Sequence, residues 1–156
     1  MCKRDVFYLM ARKTIKNATI DTNFSKLIKE RDDYICQMPE CKFCENYSLR
    51  SGGAECSHYR GRRYLAGRWH PDNCITLCHP AHAEIDQGPQ ALHVRLMIRV
   101  LGEARHDMLV ERLQRTFKYP QWERIEMHQH YIAQLKHLER LRSEGQTGVL
   151  PVVAWN

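Results

Sequence analysis

Cysteines in the first half of the chain have the spacing of a metal site. Cys41 and Cys44 form a C-x-x-C pair, a turn that directs two thiolates toward one tetrahedral zinc ion. Cys78, at a predicted strand-to-helix junction, is the expected third ligand, and Cys36 is the first choice for the fourth. The rivals for the fourth position are His79, His82 and Cys74. The pattern predicts a structural Zn²⁺ ion.

Two histidines and an asparagine in the same block could support phosphodiester hydrolysis. His58, Asn73 and His82 occur in that order on a predicted strand, in a loop and on a predicted helix. A neutral imidazole can accept a proton from water near pH 7, so His58 is the candidate general base. His82 is suited to ligate a catalytic Mg²⁺ or Mn²⁺ ion, which would neutralise charge developing on the phosphate. The Asn73 amide can hold the base or its loop by hydrogen bonds.

Arginines alternate with glycine and aromatic residues after His58. Such a loop suits phosphate contacts and stacking on unpaired bases. The candidate DNA-binding residues are Arg60, Arg62, Arg63 and Arg68. A solvated charged loop is the ordinary alternative, but the position beside His58 favours contact with DNA.

The hydrophobic pattern predicts short strands and several helices around these residues. The strands are predicted at 54–59 and 74–78. Helices are predicted at 22–31, from Pro80 onward, and at 90–101, 103–117 and 122–142. The last helix carries an apolar stripe, which is expected to pack in the core and could also supply a homodimer interface.

The longer pattern resembles the HNH endonucleases and, within them, the phage recombination endonuclease family called NinG or Rap. The similarity spans roughly residues 31–140. Its motifs are the Cys41–Cys44 pair, Glu55-Cys56-Ser57-His58-Tyr59-Arg60, Arg68-Trp69-His70-Pro71-Asp72-Asn73, Cys78, the run from Arg95 to Gly102 and a final helix that Trp122 opens.

The resemblance implies an α+β fold, with a zinc-supported ββα-metal core of the treble-clef type followed by a helical C-terminal region. It also implies metal-dependent cleavage of branched recombination intermediates, such as D-loops and Holliday junctions. The expected partner is DNA, branched or partly single-stranded, and the expected location is the cytoplasm, that of the host if a phage encodes the protein. The expected segments are a basic arm with a short helix (1–30), the nuclease core (31–88), the helical region (89–145) and an apolar tail (146–156).

Some positions depart from the family pattern. Ala81 stands where the second C-x-x-C pair of the family has its last cysteine, which leaves the fourth zinc ligand open. Ser57 precedes His58 where many HNH sites have a metal-binding aspartate, and strand alternation directs the nearest acid, Glu55, away from His58. His82 replaces an asparagine that is usual in the family and brings the site closer to the full His-Asn-His pattern.

Composition agrees with a nucleic-acid partner without requiring one. The 156 residues include 24 Lys and Arg against 18 Asp and Glu, a net charge of +6. Seven cysteines cannot form a complete disulfide set, and no apolar run is long enough to cross a bilayer. Two other functions stay open. One is a non-catalytic zinc module that binds nucleic acid, and the other is a structural zinc protein whose long helix contacts a partner.

Overall fold

The computed structural model describes residues 14–155, so most of the predicted basic arm lies outside the described range. This part of the chain is α+β, with six α-helices and one two-stranded sheet. In chain order the elements are α1 (Asn17–Arg31), β1 (Ala54–His58), α2 (Leu65–Arg68), a 3₁₀ turn (Pro71–Asn73), β2 (Cys74–Cys78), α3 (His79–Gln87), α4 (Gln90–Leu101), α5 (Glu103–Leu113) and α6 (Gln121–Ser143). Among residues 14–155, no helix combines the length and the apolar character needed to cross a membrane.

The two strands pair antiparallel and divide their side chains between two faces. His58 lies opposite Cys74 in the ladder. Because side chains alternate along a strand, Cys56 shares the face of His58 and Cys74, whereas Ile75 and Leu77 lie on the other face. The sheet therefore stands between two groups of buried residues.

Each face of the sheet contributes to its own hydrophobic core. The first core joins the cysteine-rich segment to α3, α4 and α5, and its members include Ile75, Leu77, Ala81, Ile85, Leu96, Met97 and Leu109. The second joins the opposite face to α1 and α6, and its members include Ile20, Phe24, Leu27, Ile28, Trp69, Cys74, Met127, Tyr131, Leu135 and Leu138. Burial of these side chains supplies the main favourable term for folding.

The apolar side of α6 packs against α1 within the chain. Its buried residues are Met127, Tyr131, Leu135 and Leu138. Trp122 belongs to the stripe predicted for this helix but is 58% exposed, because at about 100° per residue it lies on the opposite side from Tyr131.

The tail packs back as predicted, since Leu150 is buried and the Trp155 main-chain N–H donates to the Tyr131 hydroxyl at 3.1 Å. A homodimer through α6 would have to use the side that carries Trp122.

A buried ion pair fixes β2 against the end of α1. Arg31 Nε and Asp32 Oδ1 are 2.7 Å apart, and the two residues are 8% and 2% exposed. The guanidinium also donates to the carbonyls of Pro71 and Cys74, at 2.9 and 2.8 Å. Asp32 Oδ2 accepts from the Thr76 N–H at 2.9 Å. These main-chain hydrogen bonds satisfy groups that would otherwise make burial of the charges unfavourable.

Asp32→Asn is expected to lower the free energy of unfolding by about 3–5 kcal/mol, because Arg31 would remain buried without its counter-charge. Glu139→Gln is the matched control, since Glu139 pairs with Lys26 and both side chains are roughly half exposed. The control should lose less than about 1 kcal/mol. Urea denaturation of both variants measures the difference, and equal losses would contradict the role given to the buried pair.

Candidate functional site

Cysteine sulfurs gather where the C-x-x-C turn meets the start of α3. The Sγ atoms all lie within 4.8 Å of one another, and each residue is at most 3% exposed. The four residues are Cys36, Cys41, Cys44 and Cys78. Cys41 Sγ and Cys78 Sγ are 3.6 Å apart, close to the sulfur–sulfur separation of about 3.8 Å in a zinc tetrahedron. The cluster could bind a structural metal such as zinc.

Local backbone geometry assembles this cluster. The Cys41 carbonyl accepts from the Glu45 N–H at 2.9 Å, and Glu45 has a φ of 49°, so the C-x-x-C segment closes into a tight turn. The Gln37 N–H donates to the Thr76 carbonyl at 2.8 Å and ties the preceding segment to β2. Cys78 directly precedes α3, which places its sulfur at the N-terminus of that helix.

Burial and hydrogen bonds shift the pKa of three thiols in the cluster, Cys36, Cys41 and Cys78. Burial raises the pKa of Cys36, and it raises the pKa of Cys78 to about 11. Burial acts in the same direction on Cys41, but hydrogen bonds from the Phe43 N–H and neighbouring groups outweigh it and lower the pKa of that thiol. A divalent cation would replace the protons, because the thiolate is the metal-binding form.

Cys36 is the fourth member of the cluster, and the rival donors lie elsewhere. His79 and His82 contact a carboxylate of β1. Cys74 belongs to a separate group on the sheet. Ala81 is fully buried in the first turn of α3 and offers no ligand atom. The segment before the C-x-x-C turn therefore supplies the fourth sulfur of the cluster.

A cleft of about 590 Å³ opens beside β1 and is bordered by residues of β1, α1 and α3. Its lining includes Glu55, His58, Arg62, His82 and Asp86. Two of the predicted catalytic residues, His58 and His82, therefore border the same space. Asn73 is not part of the lining.

Glu55 joins the histidines of α3 to the strand. Its carboxylate oxygens lie 2.8 Å from His79 Nδ1 and 2.7 Å from His82 Nδ1. Burial raises the pKa of Glu55, but these hydrogen bonds outweigh it and the net pKa is lowered. His82 Nε2 is 3.4 Å from Asp86 Oδ2, one turn further along α3. Strand alternation directs Glu55 away from His58, yet Glu55 reaches the cleft because α3 packs against β1.

His58 is held in a form that can accept a proton or bind a cation. Burial lowers its pKa, so the ring is neutral at pH 7. Its Nε2 atom lies 3.2 Å from the Arg68 carbonyl oxygen. Ser57, the preceding residue, is fully buried, and within residues 14–155 its hydroxyl has no hydrogen-bond partner. Ser57 therefore offers no ligand in place of the aspartate that many HNH sites have at this position.

Asn73 fixes the loop that carries the arginines. Its Oδ1 atom accepts from the Arg60 N–H at 2.9 Å, and its Nδ2 atom donates to the carbonyls of Arg60 and Gly67 at 2.8 and 3.0 Å. A Cβ atom at Gly67 would lie 2.8 Å from Asn73 Nδ2, so the close approach requires glycine. Asn73 is fully buried and acts as a positioning residue.

The predicted DNA-binding arginines differ in whether their guanidinium groups are exposed to solvent or engaged in contacts within the chain. Three of them are exposed, namely Arg60, Arg62 and Arg63. Arg68 is instead engaged within the chain, with Nε and Nη2 donating to Asp21 at 3.0 and 2.7 Å. Trp69 Nε1 donates to the same carboxylate at 2.8 Å. The Arg63 guanidinium lies over the Tyr64 ring, 4.8 Å from its centroid. We define the arginine loop as residues 60–64.

One grouping on the sheet was missed by reasoning from the sequence. Cys56 and Cys74 are expected there as small buried hydrophobic residues, but their sulfur atoms and a ring nitrogen of His58 lie within 4.8 Å of one another. Cys74 is 1% exposed and Cys56 is partly buried. Only the pairing of β1 with β2 brings these residues together, and spacing along the chain carries no direct signal of it.

Comparisons with protein-family models, with curated proteins and with solved structures find no match for this chain. The arrangement of its own residues therefore carries the functional argument.

Cys36→Ser is expected to lower the zinc content of the purified protein by one ion per chain, because three sulfurs would remain in the cluster. His79→Ala is the matched control, since His79 is a rival donor whose side chain is 76% exposed. Elemental analysis after gel filtration measures both variants. Zinc retained in Cys36→Ser but lost in His79→Ala would assign the fourth ligand to the histidine.

Proposed function

We propose that this chain is a metal-dependent DNA endonuclease of the HNH type that hydrolyses phosphodiester bonds in branched recombination intermediates. The observation that carries the proposal is the shared cleft beside β1. A neutral, partly buried histidine, His58, borders the same space as His82, three carboxylates and an exposed arginine. Hydrolysis of a phosphodiester needs a base, ligands for a cation and a positive group for the phosphate within one such space.

In this mechanism His58 accepts a proton from the water that attacks phosphorus. Its lowered pKa keeps the imidazole available as a base at pH 7. His82 is the side chain that would hold Mg²⁺ or Mn²⁺, and the carboxylates of Glu55 and Asp86, one beside each of its ring nitrogens, are the nearest acids. The cation would neutralise charge developing on the phosphate and on the leaving oxygen.

Nucleic-acid contact is assigned to the arginine loop. Its exposed guanidiniums can bind phosphates without reading the base sequence, as suits an enzyme that recognises the shape of DNA. Tyr64 is 38% exposed beside them and offers a ring on which an unpaired base can stack. This combination favours branched or partly single-stranded DNA over plain duplex.

The resemblance to the NinG or Rap endonucleases supports the same proposal. Its motifs fall on the elements that border the site: His58 on β1, Asn73 before β2, Cys78 at the start of α3. The cysteine cluster would stabilise this small strand–strand–helix unit, whose own core is limited.

A second candidate is a non-catalytic zinc module that binds nucleic acid. The observation in its favour is that, in residues 14–155, His82 belongs to no group of three side chains with metal-ligating atoms within 4.8 Å. Ser57 also offers no carboxylate before His58. This candidate keeps the cysteine cluster and the arginine loop but cuts no DNA.

His58→Ala is expected to lower the cleavage rate of a four-way DNA junction by about 10²–10⁴-fold with Mg²⁺ or Mn²⁺, because the general base is lost. His137→Ala, at an exposed position on α6, is the matched control and should cleave at the wild-type rate. Gel assays with junction and linear duplex DNA provide the measurement.

The same assays distinguish the candidates. A wild-type protein that binds the junction but never cuts it would favour the zinc module. A wild-type protein that neither binds nor cuts would argue for a structural protein and against both.

The double variant Arg62→Ala/Arg63→Ala is expected to flatten the slope of log K against log salt by about 2 for duplex DNA, because each phosphate contact contributes about 0.9. Lys136→Ala/Arg140→Ala removes the same charge from the exposed surface of α6 and is the control. Fluorescence anisotropy from low to moderate salt gives both slopes. Identical slopes for the two variants would exclude the arginine loop from the interface.

A further inference from the structure

We infer that Cys56, His58 and Cys74 form a second metal site, which takes a thiophilic divalent cation such as Zn²⁺ and leaves one coordination position open to the cleft. The site shares no residue with the cysteine cluster. It goes beyond the proposed nuclease, and its existence does not depend on that function.

The sheet register places the three side chains together. Cys74 lies directly opposite His58, and Cys56 precedes His58 by two residues on the same face. Their ligand atoms lie within 4.8 Å of one another. A tetrahedral zinc ion requires separations of about 3.6–3.8 Å between sulfur and nitrogen ligands, so small side-chain rotations would complete the geometry. Ligands on paired strands are also held more rigidly than ligands on loops.

The donor set selects the class of cation. Two thiolates and one imidazole are soft ligands that favour zinc and similar ions over magnesium. Zinc sites with an exchangeable position have three protein ligands and a free fourth position, as here. The cysteine cluster, by contrast, has four sulfurs and is closed. Two thiolates also cancel the charge of a divalent ion, so the occupied site would carry no net charge next to the core.

The surroundings of His58 match those of a ligating histidine. When Nε2 carries the ring proton, it donates to the Arg68 carbonyl oxygen at 3.2 Å, and Nδ1 is then the nitrogen that would bind the cation. Histidines that bind metals commonly donate their other N–H to a carbonyl or carboxylate in this way, which fixes the ring and its tautomer.

The charges near this site and its access from solvent also allow a cation to bind there. The buried guanidinium of Arg31 donates to the Cys74 carbonyl, but Asp32 compensates its charge at 2.7 Å. Cys56 and His58 both line the cleft, which gives the ion a route from solvent and a direction for the open position. An apolar role would account for Cys74, which is 1% exposed in the second core. Cys56 packs against the same core, but it also borders the cleft beside an imidazole.

An occupied site would change what His58 can do. An imidazole that ligates a cation has no lone pair left to accept a proton, so the proposed nuclease would cut DNA only while this site is empty, and an occupied site would inhibit it. This consequence, unlike the site itself, rests on the proposed function.

The test uses full-length protein produced in zinc-limited medium with Co²⁺, which replaces zinc and gives a sulfur-to-cobalt charge-transfer band. Wild type is expected to contain two Co²⁺ ions per chain. Cys56→Ser should contain one, with a correspondingly weaker band. Cys56 is partly exposed and serine is close to it in size, so this variant is expected to fold.

His58→Ala is the second variant and should also lose one Co²⁺ ion. Ser57→Ala is the matched control, because Ser57 lies between the two ligands but on the other face of β1, and it should retain both ions. One Co²⁺ ion per chain in wild type, or two in both Cys56→Ser and His58→Ala, would overturn the assignment. Neither readout requires nuclease activity, so failure of the site and failure of the proposed function are distinguishable.

Discussion

The buried pair of Arg31 and Asp32 determines where the sheet sits on the helices. Two charges withdrawn from water are stable only when their remaining hydrogen-bonding groups are satisfied, and main-chain groups of β2 and the 3₁₀ turn satisfy them here. β2 in turn begins with Cys74, ends with Cys78 and leads directly into α3. The cysteine cluster, the group of Cys56, His58 and Cys74, and the histidines of α3 are thus all connected to a strand that this pair fixes to the end of α1.

Helices and strands whose boundaries are set by residues close in the sequence were largely predictable. β2 spans 74–78 and α4 spans 90–101, as their hydropathy and flanking Gly and Pro residues indicate. α1 begins at Asn17, five residues before the predicted start at position 22, and its N-cap residue Lys16 makes no side-chain cap hydrogen bond. Packing on α6 and the sheet stabilises that first turn, so a search for capping residues placed the boundary too late.

In the candidate site, too, contacts between residues close in the sequence were predictable and contacts that depend on strand pairing were not. The C-x-x-C spacing is local and predicts that Cys41 and Cys44 lie together. The approach of Cys56 and Cys74 to His58 depends on strand register, and a slip of one residue would turn Cys74 to the opposite face. No turn motif connects the two strands closely enough to specify that register, because a loop, α2 and the 3₁₀ turn intervene.

The amide of Asn73 has a consequence for how this protein could diversify. It bonds the chain at Arg60 and again at Gly67, so both ends of the intervening segment are fixed to the sheet. Substitutions and insertions between those two anchors can reshape the exposed surface, while the separation of His58 from His82 stays the same. In the proposed nuclease, DNA recognition and hydrolysis would then evolve independently on one small scaffold.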